Sequence, residues 1–239
     1  MKPLDKAGFT IIETMLFLSI SALLIMGILV GTGYSINVQR YRDSVTSFQS
    51  FLQQQFSEVS NVINDTRSVD CGSDTGINRG QSNCVILGHY ITTNDSHTLT
   101  IKKVIGLDLN APILSDDVAA LQQYSPVVLS TPISTYTIDW GSLIKDISNN
   151  PMTFSILILR SPSSGIVRTF IDTSTPPIPD GRIAVDLIKT SALNNKAQFC
   201  IDSNGLLANK QMQVLINSNA TNAGSIEILG DGSVNNLCH

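Results

Sequence analysis

Residues 9–30 read Phe9-Thr10-Ile11-Ile12-Glu13-Thr14-Met15-Leu16-Phe17-Leu18-Ser19-Ile20-Ser21-Ala22-Leu23-Leu24-Ile25-Met26-Gly27-Ile28-Leu29-Val30, and this stretch decides how the remainder is read. Glu13 is its only charge, and from Thr14 to Gln39 no charged residue appears until Arg40 and Arg42. About 20 helical residues cross a hydrocarbon core, so the run is long enough to span a bilayer. A carboxylate in such a place costs about 2.5–3.5 kcal/mol on insertion scales and needs a partner. A cut between Gly8 and Phe9 creates one candidate, a free amine. Lys2 and Lys6 favour an N-terminus held in the cytoplasm, which sends the following domain outward. Arg40 and Arg42 oppose that orientation from well beyond Val30.

A secretory signal peptide carries its small-x-small cleavage site after its apolar stretch. Here the processing-like feature, Ala7-Gly8-Phe9, stands before it, so cleavage leaves the whole hydrophobic helix on the mature chain. The segment Gly8-Phe9-Thr10-Ile11-Ile12-Glu13-Thr14-Met15-Leu16, behind a short basic leader, resembles the N-terminus of type IV pilins and pseudopilins. The resemblance implies that a prepilin peptidase cuts after Gly8 and methylates the amine of Phe9. It also implies that Glu13 meets the N-terminal amine of a neighbouring subunit and sets axial register as a subunit leaves the bilayer for a filament. At low dielectric such a pair is worth keeping only when both partners are present, because either alone is an uncompensated charge.

Beyond Gly31 and Gly33 the pattern turns amphipathic. Tyr34, Val38, Tyr41, Val45, Phe48, Leu52, Phe56, Val59 and Ile63 recur at steps of three and four, the signature of a helix burying one stripe. Asn64-Asp65-Thr66 breaks the pattern. One helix from Phe9 to Ile63 is roughly 80 Å long at 1.5 Å per residue. The divisions expected are a leader at 1–8, the transmembrane half of the helix at 9–30, its amphipathic half at 31–63 and a β-rich head at 64–239. The fold class is α+β, a long N-terminal helix packed on an antiparallel sheet, and the resemblance implies the pilin lollipop.

In the head, Cys84–Thr93 and His97–Ile105 flank an Asn94-Asp95-Ser96 turn and read as a hairpin. Ala111–Tyr124 reads as a short helix or loop. Val127–Leu129, Thr135–Trp140, Thr153–Arg160, Ile166–Asp172, Ala197–Ile201, Gln213–Asn217 and Ser225–Leu229 read as strands, with Pro176–Gly181 a rigid connector. Phe199–Leu206, Val214–Asn217 and Gly224–Ile228 resemble the closing strands of H-type minor pseudopilins and FimT/FimU-like minor pilins. Four cysteines, all outside the membrane run, allow three connectivities. Cys71 with Cys84 and Cys200 with Cys238 is the most economical of them.

The 239 residues accommodate one membrane helix and one domain of ordinary size, and a net charge of −4 speaks against a general nucleic-acid surface. Lys189, Lys196 and Lys210 are scattered, and no Lys or Arg follows them, so DNA binding is not expected. His89, His97 and His239 are dispersed, no Gly-x-Ser-x-Gly elbow or phosphate loop is present, and catalysis is not expected. Asp70, Asp74, Asp202 and Asp231 lack EF-hand spacing and suit turns, so neither a metal nor a cofactor is implied.

The resemblance implies a structural minor subunit of a type IV pilus or a type II secretion pseudopilus. The implied partners are prepilin peptidase, other pilin or pseudopilin subunits, the inner-membrane assembly platform and, before assembly, the membrane itself. The implied location is a single pass through the inner membrane with the head outside the cytoplasm, followed by the fibre. The alternative is a tip-located binding module, either an adhesin or a DNA-uptake receptor.

Overall fold

The structure is a computed structural model describing residues 10–61, 84–107, 114–174, 178, 180–182, 186–207, 211–230, 233 and 236–238. The chain is α+β: a long N-terminal helix, α1 (Ile11–Ser60), and two antiparallel sheets. It divides into two compact units, Met1–Arg40 and Tyr41–His239. Ile63 and the three prolines of the Pro176–Gly181 connector lie outside the described residues.

The described part of the first unit is helical and apolar. Its most apolar window has a mean hydropathy of 2.3 with none of it buried, and the helix is long and apolar enough to cross a membrane. Three of its hydroxyls are returned to the helix: Thr14 donates to Ile11 O, Ser19 to Leu16 O and Thr32 to Ile28 O, each at 2.9 Å. A hydroxyl returned to its own helix in this way exposes less unsatisfied polarity on an apolar surface. Gly31 and Gly33 lie inside α1 and do not break it.

In the second unit α1 buries Tyr41, Val45, Phe48, Leu52, Phe56 and Val59, with Ser44, Phe51 and Gln55 beside them. The buried stripe starts later than its spacing suggests, because Tyr34 is exposed. Strands β1 (Cys84–Thr93), β2 (Thr98–Leu107), β3 (Val127–Thr137), β5 (Phe154–Arg160) and β6 (Val167–Asp172) form one sheet in the order β3-β2-β1-β5-β6. The β1–β2 turn is held by Asp95, whose Oδ1 accepts from His97 N and Thr98 N at 3.0 and 2.6 Å. Strands β4 (Leu143–Lys145), β7 (Ala197–Asp202), β8 (Gln211–Ile216) and β9 (Ile226–Leu229) form the second sheet, in that order.

Strand β5 is buried from Phe154 to Leu159, on both faces, which is what its apolar run Ile156–Leu159 predicts. On one face Leu157 and Leu159 join Tyr90, Val104 and Phe170 beneath α2 (Asp117–Gln123) and α3 (Thr190–Leu193), which contribute Val118, Leu121 and Leu193. On the other face the register sets Ile91, Ile101, Ile156 and Ile158 alongside His89, whose Nδ1 lies 2.8 Å from Gln55 Oε1 of α1. The second sheet meets α1 through Phe199, packed edge-on against Phe48 at 5.7 Å.

Three expectations need correction. The strands form two sheets where one was expected, and β4, only three residues long, carries no readable pattern of its own. Val127–Leu129 and Thr135–Trp140 are not separate strands: β3 runs unbroken to Thr137. Pro132 is tolerated within it because β3 is an edge strand, where a missing N–H leaves no ladder bond unmade. Trp140 instead sits in a turn, Asp139–Gly141, with φ 57°. The short helix α3 was not anticipated.

Gly88 marks a shift in β1–β2 register, and a Cβ there would lie 2.0 Å from Ile158 O. Gly88→Ala must therefore push β1 off β5. A loss of about 1–3 kcal/mol is expected from such overpacking, read as a lower urea midpoint at unchanged slope.

Candidate functional site

Glu13 lies in the first turn of α1, exposed, on a face shared with Leu16, Phe17, Ile20 and Leu24. Its N–H donates to Thr10 Oγ1 at 3.3 Å, so Thr10 serves the helix start. Thr10 was missed in reading the sequence, although Thr-x-x-Glu is a capping-box spacing. A carboxylate in the first turn also complements the helix dipole. Gly8 and Phe9 lie outside the described residues, as does the boundary at 1–8.

Cys200 and Cys238 form a disulfide with Cα atoms 5.6 Å apart. Cys84 is disulfide-bonded, and Cys71 lies outside the described residues. Beside the Cys200 bridge, Asn236 Nδ2 donates to Gln211 O at 3.1 Å and Leu237 N to Gln213 Oε1 at 3.3 Å, so the C-terminal segment is tied to β8 by side chain and backbone as well.

Among the described residues a polar cluster surrounds Asp117, at the start of α2. Ser161 and Ser163 Oγ donate to its Oδ1 at 2.6 and 3.0 Å, and Arg168 Nε donates to its Oδ2 at 2.7 Å. Burial pushes this carboxyl up, but hydrogen bonds from Ser161, Ser164, Arg168 and Ser163 together outweigh it and hold it well below the usual carboxylate range. Serines beside a carboxylate suggest a nucleophile and its base. A carboxylate so firmly ionised is too weak a base for that work, and the cluster instead joins α2 to the β5–β6 turn.

His89 is the one histidine packed between α1 and a sheet among the described residues. Burial pulls its imidazole below the ordinary value; Glu58, 3.8 Å away and partly solvated, raises it less, and Lys103 lowers it. Below an ordinary pKa of about 6.5 the unfolded chain takes up a proton that the folded chain resists, so stability falls as pH falls. Between pH 7 and 5 the wild type should lose more stability than His89→Gln, which keeps a hydrogen-bonding side chain without the charge. Parallel urea titrations of the two proteins measure this; equal losses would contradict it.

His97 Nδ1 lies 3.0 Å from Ser142 O and serves a turn, while His239 lies outside the described residues. Asp202 pairs with Lys145 at 3.0 Å, and Asp70, Asp74 and Asp231 also lie outside the described residues. Among the described residues no group of three or more His, Cys, Asp or Glu is placed to hold a metal ion. No family model, curated protein or solved structure matches the chain.

Proposed function

We propose that this chain is a minor subunit of a type IV pilus or of a type II secretion pseudopilus. In this reading α1 stores it in the inner membrane with the head outside the cytoplasm, until cleavage between Gly8 and Phe9 readies it for assembly. The observation that carries the reading is Glu13, the sole charge in the apolar stretch 9–30 and five residues past Gly8. A head in which the helix packs on antiparallel sheets is compatible with a pilin-like subunit. The liberated Phe9 amine then neutralises Glu13 of a neighbour as the helix leaves lipid, and an unmatched subunit is held back by its uncompensated charge.

Mass spectrometry of the native polypeptide should find the chain starting at an N-methylated Phe9. An intact leader in cells making the fibre would refute the reading. Glu13→Leu should still enter the membrane yet join fibres at least tenfold less, which requires a loss of only about 1.4 kcal/mol in assembly. Normal incorporation of that variant would remove the role given to Glu13.

A further inference from the structure

The contacts of α1 within the second unit order the head from end to end. Gln55 engages His89 on β1, Ser47 Oγ accepts from Tyr136 Oη on β3 at 3.1 Å, and Tyr41 Oη donates to Ile201 O on β7. Going from Gln55 toward Tyr41, β1 runs from His89 to its turn and β3 runs on past Tyr136. At the Tyr41 end Ile144 of β4 pairs with Ile201, its N–H donates to Ser96 O at 2.8 Å, and Ile138 N donates to His97 O at 3.1 Å. The turn Asp139–Gly141 and the loop 146–150 flank β4, so both are held at the end of the head where α1 enters.

Those two segments carry exposed apolar side chains, Trp140 at 51% and Ile147 at 48%. Trp140 has φ 57°, in the left-handed region that bulky side chains rarely occupy and where they are strained. Glycine meets such a demand without strain, as Gly141 does next to it at φ 70°. The backbone therefore bears a cost at Trp140 while half of the indole stays in solvent.

Connectivity supplies the occupant. α1 is one helix from Ile11 to Ser60, and only residues 31–40 separate Val30 from Tyr41, about 15 Å at 1.5 Å per residue. No charge stands between Thr14 and Gln39, and Tyr34 and Ile36 are exposed along the way. Whatever angle the head takes on so short a stem, its Tyr41 end stays within reach of the headgroup layer of a bilayer that α1 crosses. Tryptophan is enriched in that layer, where its ring meets apolar matter and its N–H meets polar groups. Charge is not the attraction: Asp139 and Asp146 lie beside the two apolar residues, and Lys145 is paired with Asp202.

We propose that Trp140 and Ile147 form a lipid-contact surface, seated in the bilayer interface while α1 spans the membrane. The inference rests on α1 crossing a membrane, which is part of the function proposed above. Two side chains bind a bilayer feebly by themselves, but the stem keeps them beside it at high effective concentration. The contact has to be given up when the subunit leaves the lipid.

Trp140 is the only tryptophan in the chain, so its fluorescence reads this surface alone. The test is full-length protein reconstituted in phosphatidylcholine vesicles, where flotation with the vesicles reports on α1 and indole emission reports on the head. Bromine placed high on the lipid acyl chains should quench the emission at least twofold, and bromine near the chain ends should quench it less. Emission open to iodide and untouched by brominated lipid would overturn the proposal. So would a blue shift that grows with protein density and ignores bromine, because a second copy would then cover the indole. Ile147→Asp, on an exposed loop, should weaken the quenching at unchanged melting temperature, and undiminished quenching would overturn the assignment of Ile147. A chain that does not float would overturn the membrane-storage reading and this inference with it, whereas a floating chain with unquenched Trp140 overturns this inference alone.

Discussion

Arg168→Leu is expected to lower stability by about 3 kcal/mol, at the low end of the roughly 3–5 kcal/mol that follows loss of one partner from a buried ion pair. Asp117 is 10% exposed and Arg168 26%, so solvent relieves the orphaned carboxylate only in part. The serines that remain donate to one carboxylate oxygen, whereas Arg168 alone among the described contacts satisfies the other with a full charge. Adding Asp117→Asn to the variant should recover part of the loss, because no buried charge is then left unmatched. The pH dependence has a definite sign. A carboxyl held below its ordinary value of about 3.9 contributes fully above that pH and progressively less as pH falls toward its folded value. The gap between wild type and Arg168→Leu should therefore narrow from pH 7 to pH 3. A gap of constant size would show that the arginine acts through packing and not through charge.

Removing the Cys200–Cys238 bridge by a double alanine substitution is expected to cost about 4 kcal/mol on the chain-entropy account, for a separation of 38 residues. The contacts of Asn236 and Leu237 with β8 should fray with it, since single hydrogen bonds are weak tethers once the covalent link is gone. Hydrogen exchange along β8 is the local readout and the urea midpoint the global one. Comparison with the double variant is needed because a reductant also attacks the bridge at Cys84. A double variant as stable as the wild type would mean that the bridge merely records a proximity the fold already enforces.

Much of the helix was legible because its physics is local. Tyr41, Val45, Phe48, Leu52, Phe56 and Val59 announce a buried face by spacing alone, and Glu13 is conspicuous for want of any neighbouring charge. Phe51 and Gln55 were not legible, since α1 meets both sheets and its buried arc is wider than one stripe. The hairpin β1–β2 declares itself through its turn. Pairing between distant strands does not, and β4 beside β7 gave no signal before folding brought them together. The Asp117–Arg168 pair was hidden for the same reason, its members lying 51 residues apart.

The polar contacts between α1 and the sheets bear on how the molecule resists force. A helix gripped only by methyl and phenyl groups can slip by one turn, about 5.4 Å, and offer a similar stripe to the same hollows. Here Tyr41 Oη donates to Ile201 O at 2.7 Å, Gln49 Nε2 to Ile226 O at 3.0 Å, and Gln55 engages His89 at 2.8 Å. Each is a tooth that fits one notch. Traction along the helix axis must shear these contacts together before any sliding begins, so the seat should yield abruptly under load and not creep.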